Sequence, residues 1–225
     1  MPPANPLIDL EARPVIAHRG ASAHAPENTL PAFELAVQYG ADAFELDVRL
    51  SRDGAPVVVH DATLERTTGL AGPVRARTLA EVLWAFPAMP VLIEVKEPEV
   101  QEAVRRVLVD QGACERCVVA SEDDAALTAF RHGPVPCGAS AKDIAELYLA
   151  VLLRRRLPAP RYRLLSVPLR HRGLPVPTRR FVAAARRLGC PVHVWTVNDP
   201  ATAQRLWARG VAGVVTNEPK AMRKQ

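Results

Sequence analysis

The chain is short of lysine, aromatic residues and cysteine, and these shortages exclude several classes of protein. Lysine occurs only at positions 96, 142, 220 and 224, so nearly all of the positive charge behind the net charge of +5 comes from arginine. No Lys/Arg-rich run is interleaved with aromatic residues, so we expect no nucleic-acid partner. The arginine surplus instead suits anionic ligands such as phosphates.

Cysteines and long apolar runs are too scarce to indicate a secreted or membrane protein. Four cysteines in 225 residues do not make a disulfide framework. Cys114 and Cys117 form a Cys-x-x-Cys pair, but no second pair follows at zinc spacing, which favours a structural role. No run reaches about 18 apolar residues, so no membrane span is expected. Met1 to Arg13 lacks the apolar stretch of a signal peptide, and we expect a soluble, cytoplasmic protein.

Apolar strand patterns alternate with helical patterns along the whole chain. Eight short segments are predicted to be strands: 14–18, 43–48, 91–96, 117–121, 135–139, 164–167, 192–197 and 213–216. Eight such units in about 225 residues predict an α/β fold, a TIM (β/α)8 barrel, in one domain covering residues 1–225. The competing open, doubly wound sheet is disfavoured because no Gly-x-Gly-x-x-Gly turn follows the first strand.

Capping residues predict where several helices begin. Thr78 and Glu81 form a capping box ahead of one helix. Ser121 is predicted to be the N-cap of a helix that reaches Arg131, and Thr178 that of a helix ending before Gly189.

The second predicted strand carries two acidic residues on one face. Glu45 and Asp47 are two apart, and a strand repeats every two residues. Two neighbouring carboxylates are costly unless a cation lies between them. Asp53-Gly54 then predicts a hairpin, an excursion from the alternation, whose returning arm would bring His60 beside Glu45. An exposed hairpin with unrelated acids is the competing interpretation.

Polar residues recur where the predicted strands end. In a TIM barrel these ends form the active site. The carboxylates of Glu45, Asp47 and Glu94 give an all-oxygen set suited to Ca²⁺ or Mg²⁺. Arg19 and Lys96 supply positive charge for a phosphate, and the two imidazoles of His18 and His60 can share acid and base work. This combination predicts cleavage of a phosphodiester, and the ends also carry Trp195, Asn198, Thr216 and Asn217.

The other histidines are weaker candidates for chemistry. His193 lies within a strand without an acidic neighbour and is predicted to be a satisfied core residue. His132 and His171 are expected at the surface, and the role of His24 in its loop stays open.

Eight short motifs resemble those of the glycerophosphodiester phosphodiesterase family in its compact bacterial form, and they occur in the family's order from Pro14 to Pro219. They are His18-Arg19-Gly20, Pro26-Glu27-Asn28-Thr29, Glu45-Leu46-Asp47-Val48, Asp53-Gly54, Val58-Val59-His60-Asp61, Glu94-Val95-Lys96, Trp195-Thr196-Val197-Asn198 and Gly213-Val214-Val215-Thr216-Asn217. The second His-Arg-Gly, at 171–173, has no strand before it and is interpreted as coincidence.

The resemblance implies a role for each matched residue. Glu45, Asp47 and Glu94 would bind Ca²⁺ or Mg²⁺, and His18 and His60 would be the general acid and base, without a decision between them. The remaining residues would contact the substrate: Arg19 and Lys96 its phosphate, Trp195 its glycerol side, and Glu27 near Arg19 or the metal. The implied reaction, a step of lipid and glycerol metabolism, converts a small-molecule glycerophosphodiester to sn-glycerol 3-phosphate and an alcohol.

Two departures from the family pattern affect these expectations. Only 33 residues separate His60 from Glu94, so the inserted subdomain is expected to be reduced. This shortening leaves the alcohol selectivity open. The last strand ends in Thr216-Asn217 where the family usually has Thr-Asp, and we expect a lost charge near the site with activity retained.

Two other functions stay open at this point. A lysophospholipase D-like barrel acting on lipid phosphodiesters would use the apolar run 144–153 beside the arginines at 154–156. That run also has the period of an outer barrel helix, and the basic, proline-rich loop 154–161 suits a solvated connection better than a phosphate contact. A non-catalytic phosphate-binding barrel predicts loss of a catalytic histidine or acid, and all five are present. The oligomeric state is not indicated.

Overall fold

Short parallel strands form the frame of the molecule. The computed structural model describes residues 5–61, 76–157 and 159–223. In these residues the strands are β1 (Val15–His18), β2 (Ala43–Leu50), β3 (Pro56–Val58), β4 (Val91–Val95), β5 (Cys117–Ala120), β6 (Leu165–Pro168), β7 (Arg170–His171), β8 (Leu174–Pro175), β9 (Val192–Trp195) and β10 (Gly213–Thr216).

Helices connect most of the parallel strands. They are α1 (Leu30–Gln38), α2 (Leu79–Ala85), α3 (Gln101–Asp110), α4 (Ala141–Leu152), α5 (Arg179–Arg187), α6 (Pro200–Trp207) and α7 (Pro219–Arg223), with 3-10 turns at Pro98–Val100 and Asp124–Leu127. The predicted capping box is confirmed, because the Thr78 hydroxyl accepts from Glu81 N–H and the Glu81 carboxylate accepts from Thr78 N–H. Thr178 likewise caps α5.

The strands curve into the predicted barrel. Their order is β5-β4-β2-β1-β10-β9-β6, with every neighbouring pair parallel. The segment at 135–139 fills the gap between the two end strands through bridges from Cys137 to Val119 and from Gly138 to Leu164. The prediction of an α/β TIM barrel is therefore confirmed.

Two predicted elements differ from the structure. Segment 135–139 makes isolated bridges instead of a strand, because Pro134 and Pro136 cannot donate to a ladder. The helix expected from Ser121 to Arg131 is a single 3-10 turn at Asp124–Leu127. The Ser121 hydroxyl donates to Val95 O, 2.7 Å away, and Asp123 caps the short turn instead.

The predicted hairpin after β2 forms. β3 pairs antiparallel with β2, with Val48 opposite Val58. The strand pairing ends at Val58, two residues before His60. β2 also continues to Leu50, so its acids lie before the end of the strand. The segment expected to hold the reduced insertion lies partly outside the described residues.

The interior of the barrel is layered from apolar to polar. One apolar cluster fills its lower part: Leu7, Ile16, Ala43, Leu92, Val118, Ala120, Leu164 and Val215. Leu7, from the N-terminal segment, is fully buried in this cluster. His193 is buried and bonds Leu7 O, 2.8 Å away, through Nε2. Larger apolar clusters lie between the strands and the outer helices. The next inward-facing positions toward the strand ends are polar, which follows from the strand period of two.

Candidate active site

Three carboxylates converge above the apolar layer. Glu45, Asp47 and Glu94 each place an oxygen within 4.8 Å of the others. Strand pairing produces this cluster, because Asp47 on β2 lies opposite Glu94 on β4. Glu45 and Asp47 are buried. Burial, with the charges of Asp47 and Glu94, raises the pKa of Glu45 well above its ordinary value.

Two cations compensate for part of this negative charge. Lys96 Nζ lies 2.9 Å from Asp47 Oδ1 and 2.8 Å from Glu94 Oε1. Arg19 Nε lies 3.0 Å from Asp47 Oδ2. Burial would raise the pKa of Asp47, but Lys96 and Arg19 outweigh burial and hold that pKa below its ordinary value. Burial also opposes the charge of Lys96, yet Glu94 and Asp47 raise its pKa overall.

The loop after β1 contacts these acids through hydrogen bonds from two of its residues. Arg19 and Asn28 both adopt left-handed backbone conformations, with φ of 57° and 59°. Arg19 N–H donates to Glu45 Oε2 at 3.0 Å, and Asn28 Nδ2 donates to Asp47 Oδ2 at 3.0 Å. Glu27 pairs with Arg19 at 3.0 Å. The structure thus places Glu27 against Arg19, whose guanidinium lies between Glu27 and Asp47.

His18 is held by the last strand of the barrel. Its Nδ1 lies 2.6 Å from Asn217 Oδ1, and that oxygen also accepts from the Ser22 hydroxyl at 3.0 Å. An amide oxygen only accepts, so Nδ1 carries the proton and Nε2 is the free basic nitrogen. His18 Nε2 lies 3.9 Å from Glu45 Oε2. Burial lowers the pKa of His18, with the Asn217 bond acting in the opposite direction.

His60 has a different partner. Its Nδ1 lies 2.7 Å from Asp61 Oδ1. A carboxylate oxygen accepts from Nδ1 here, so Nδ1 carries a proton as in His18, but the partner of His60 is a carboxylate where the partner of His18 is a neutral amide. The two imidazoles therefore differ in electrostatic setting.

One cavity of about 870 Å³ connects these groups. Seven of the nine site residues predicted from the sequence line this cavity: His18, Arg19, Glu45, His60, Glu94, Lys96 and Trp195. The other two do not line it: Glu27 pairs with Arg19, and Asp47 pairs with Arg19 and Lys96.

Comparison of the sequence with known proteins identifies the family of this chain. The sequence matches the model of the glycerophosphoryl diester phosphodiesterase family over residues 18–86 and 77–221. The chain belongs to this family. A glycerophosphodiester phosphodiesterase of Caldanaerobacter subterraneus subsp. tengcongensis is 30% identical over 92% of this chain and 95% of its own length.

Solved structures of family members agree with the barrel. The glycerophosphodiester phosphodiesterase of Thermotoga maritima is 30% identical and covers 93% of this chain and 96% of its own, with a TM-score of 0.71. An Oleispira antarctica phosphodiesterase in complex with the product sn-glycerol-3-phosphate is 27% identical, covers 94% and 96%, and has a TM-score of 0.75. The prediction of an enzyme with glycerophosphodiester phosphodiesterase activity is thereby confirmed.

The carboxylate cluster of this family member fits a divalent cation. The donors are all oxygen, as hard cations require. Burial is the main cause that raises the pKa of Glu45, followed by the charges of Asp47 and Glu94, and a cation beside this carboxylate would favour its ionised form. Glu45 and Glu94 also line the cavity and are reached from it.

Sequence patterns missed part of the site. Asn28 was not predicted as a site residue, yet its side chain donates to Asp47. The available signal was the residue type, because asparagine is favoured where the backbone is left-handed, as it is here. His171 is exposed as expected, but the β7–β8 hairpin brings it into the cavity wall. Tyr148 and Leu149 of α4 line the cavity as well, although the outer-helix interpretation placed them against the barrel.

The remaining predicted features are structural. Cys117 is buried in β5, and burial raises the pKa of its thiol to about 12, so it stays protonated. His24 pairs with Glu218 at 2.8 Å. Burial lowers the pKa of His193 to about 4, which keeps this core imidazole neutral. Within the described ranges, no helix is long and apolar enough to cross a membrane.

Proposed function

We propose that this enzyme hydrolyses glycerophosphodiesters to sn-glycerol 3-phosphate and an alcohol in a metal-dependent reaction, with His18 and His60 as acid–base pair. The observation that carries the proposal is the meeting of a three-carboxylate cluster, two fixed cations and two imidazoles in one cavity. Ca²⁺ and Mg²⁺ both suit these oxygen donors.

Glu45, Asp47 and Glu94 would hold the cation. When bound, it supplies positive charge that polarises a phosphoryl oxygen. Arg19 and Lys96 are positioned to bind the remaining phosphate oxygens, since both are anchored by acids and reach the cavity. Trp195, half-buried in the same wall, would pack against the glycerol.

The reaction requires two proton transfers. The neighbouring glycerol hydroxyl attacks phosphorus while the bond from phosphorus to the alcohol oxygen breaks. One imidazole takes the hydroxyl proton and the other donates a proton to the leaving alcohol. Water then opens the cyclic phosphate in the reverse sense, so the net reaction consumes one water.

The surroundings of the two histidines favour one assignment of the general base and the general acid. His18 faces a neutral amide, and burial lowers its pKa, so it is unprotonated near neutral pH and suits the base. With His18 as the base, the second imidazole of the cavity, His60, is left for the acid, and the contact of its Nδ1 with Asp61 orients its ring. We assign the base to His18 and the acid to His60.

Release of glycerol 3-phosphate from glycerophosphocholine tests the proposal. We expect EDTA to abolish release and Ca²⁺ or Mg²⁺ to restore it. His18→Ala and His60→Ala should each lower kcat by about 10²-fold or more, the usual contribution of a positioned acid or base. His132→Ala, which removes an exposed histidine, is the control. Metal-independent release, or full activity without either imidazole, would contradict the proposal.

A further inference from the structure

An arginine that was not predicted as a site residue contacts the segment that carries His60. Glu45, Asp47 and Arg49 alternate along β2 with residues of the apolar cluster between the strands and the outer helices, so these three share the inner face of the strand. Arg49 therefore lies one strand repeat beyond the two carboxylates of the candidate metal site, next to the end of β2 at Leu50.

The guanidinium of Arg49 holds the main chain of His60. Arg49 Nε donates to His60 O at 2.7 Å. His60 follows β3, which ends at Val58, and the intervening Val59 N–H donates to Asp47 O at 3.0 Å. The bond from Arg49 therefore extends the attachment to β2 as far as the residue that carries the imidazole.

Glu97 fixes this guanidinium in turn. Its Oε2 lies 3.0 Å from Arg49 Nη1, and its Oε1 accepts from Leu50 N–H at 2.7 Å. Both carboxylate oxygens are thus bound to consecutive residues of β2. Glu97 directly follows Lys96, which the proposed function places on the substrate phosphate. The contacts from Glu97 through Arg49 to His60 therefore join the ends of β4 and β2 to the segment of the second imidazole.

These contacts suit orientation of another group better than direct chemistry. Within the part of the chain that the structure describes, Arg49 and Glu97 do not line the active-site cavity, whereas His60 does. A guanidinium keeps its protons at neutral pH, so it does not serve as an acid or a base. Arg49 instead supplies a fixed attachment, because its planar fork of donors reaches Glu97 and the His60 carbonyl at the same time.

We propose that Arg49 is a positioning residue for His60, and that its bond to the His60 carbonyl, held in place by Glu97, keeps the imidazole within reach of the substrate. The inference rests on the proposed function, in which His60 is the general acid. A misplacement of about 1 Å can cost an enzyme about 10²-fold in rate. Loss of Arg49 should therefore slow the step that uses His60, while Arg19 and Lys96 still bind the phosphate.

Two substrates with different leaving groups test the positioning role. We measure kcat and KM for glycerophosphocholine and for the p-nitrophenyl ester of glycerol 3-phosphate, with the cation that restores activity after EDTA. Arg49→Met should lower kcat for glycerophosphocholine about tenfold or more, because choline leaves only with a proton from the acid. We expect kcat for the p-nitrophenyl ester to fall less than about threefold, since p-nitrophenol leaves as its anion. Both KM values should change less than about twofold, because phosphate binding is retained.

A double-mutant cycle tests whether Arg49 acts through His60. In the His60→Ala background, Arg49→Met should change kcat for glycerophosphocholine less than about twofold, because the group that Arg49 positions is gone. Arg49→Lys keeps the charge without the fork of donors, so it should lose activity in the same direction, and it replaces Arg49→Met if that variant does not fold. Arg105→Met breaks an exposed pair with Glu102 on α3 and should leave both substrates unchanged.

The outcomes separate this inference from the proposed function. Full activity of His60→Ala overturns the proposed function. A large loss in His60→Ala beside an unaffected Arg49→Met overturns the positioning role alone. An Arg49→Met loss that differs in substrate pattern from that of His60→Ala, or that persists undiminished in the double variant, indicates a general structural role and also overturns it. A loss that follows the His60→Ala pattern and disappears in the double variant supports the positioning role.

Discussion

The Nδ1 atom of His18 lies 2.6 Å from Asn217 Oδ1, and this contact determines which nitrogen of His18 faces the cavity. The amide fixes the tautomer without adding charge, so burial remains the main influence that lowers the pKa of His18. Strand pairing explains the contact. Because β1 and β10 are parallel neighbours, both strands end at the same edge of the sheet, which brings His18 and Asn217 together.

Asn217→Asp should keep the enzyme active while changing its pH profile. A carboxylate beside His18 favours the imidazolium, and a close opposite charge moves a pKa by about 1–3 units. Because the base must be unprotonated, the acidic limb of the kcat/KM profile should move to higher pH by about one unit. Asn217→Leu, which removes the acceptor, should lower kcat without that displacement. An unmoved limb in Asn217→Asp would contradict the base assignment of His18.

Metal binding should be visible as stabilisation of the folded protein. A ligand at about one hundred times its dissociation constant adds about 2.7 kcal/mol to the free energy of unfolding. Ca²⁺ or Mg²⁺ should therefore raise Tm of the wild type, and Glu45→Gln should lose most of the shift. Glu102→Gln removes an exposed acid on α3 and should retain it. Equal shifts in wild type and Glu45→Gln would exclude Glu45 as a ligand.

Much of the barrel and its site could be predicted because the signals are local. Period-two spacing placed Glu45 with Asp47 on one face, and the capping box at Thr78 fixed the start of α2. The short turn at Asp124–Leu127 could not be predicted, since the Ser121 hydroxyl donates to Val95 O, a contact between distant segments that no local signal shows. The place of Tyr148 and Leu149 in the cavity wall was missed because it depends on how α4 meets the β7–β8 hairpin, a contact between distant segments.

Gly20→Ala should destabilise the protein more than another glycine replacement at similar backbone geometry. Gly20 has a φ of +82°, and an added Cβ would lie 2.7 Å from Ala32 atoms. Gly54 has a φ of +80° with open space around it, so Gly54→Ala reports the backbone strain alone, about 1–2 kcal/mol. We expect Gly20→Ala to lose at least about 1 kcal/mol beyond that in urea unfolding, as overpacking does. Equal losses would show that the loop moves to accept the methyl group.

His193 should make the protein less stable in acid. Burial lowers its pKa to about 4 from the ordinary 6.5. Below pH 6.5 the unfolded chain binds a proton that the folded chain does not bind until pH falls to about 4. The contribution of neutral His193 to the free energy of unfolding is therefore fully present above pH 6.5. It is lost as the pH falls from 6.5 to about 4, with about 2 kcal/mol of the loss between pH 7 and pH 5.

The contribution of His193 is measured by urea unfolding at both pH values. His193→Gln should reduce the loss between pH 7 and pH 5, whatever its stability at pH 7. His132→Gln, at an exposed position, should leave the loss unchanged. The same pH dependence in wild type and His193→Gln would assign the acid sensitivity to other groups.

The most direct test of the two-histidine account varies the leaving group. The substrates are glycerophosphocholine and glycerol phospho-p-nitrophenol, whose leaving group departs without a proton. If His60 is the acid, His60→Ala should lose about 10²-fold or more in kcat with the choline ester and far less with the p-nitrophenyl ester. His18→Ala, lacking the base, should be impaired on both. Equal impairment of His60→Ala on the two substrates, or rescue of His18→Ala by the good leaving group, would contradict the assignment.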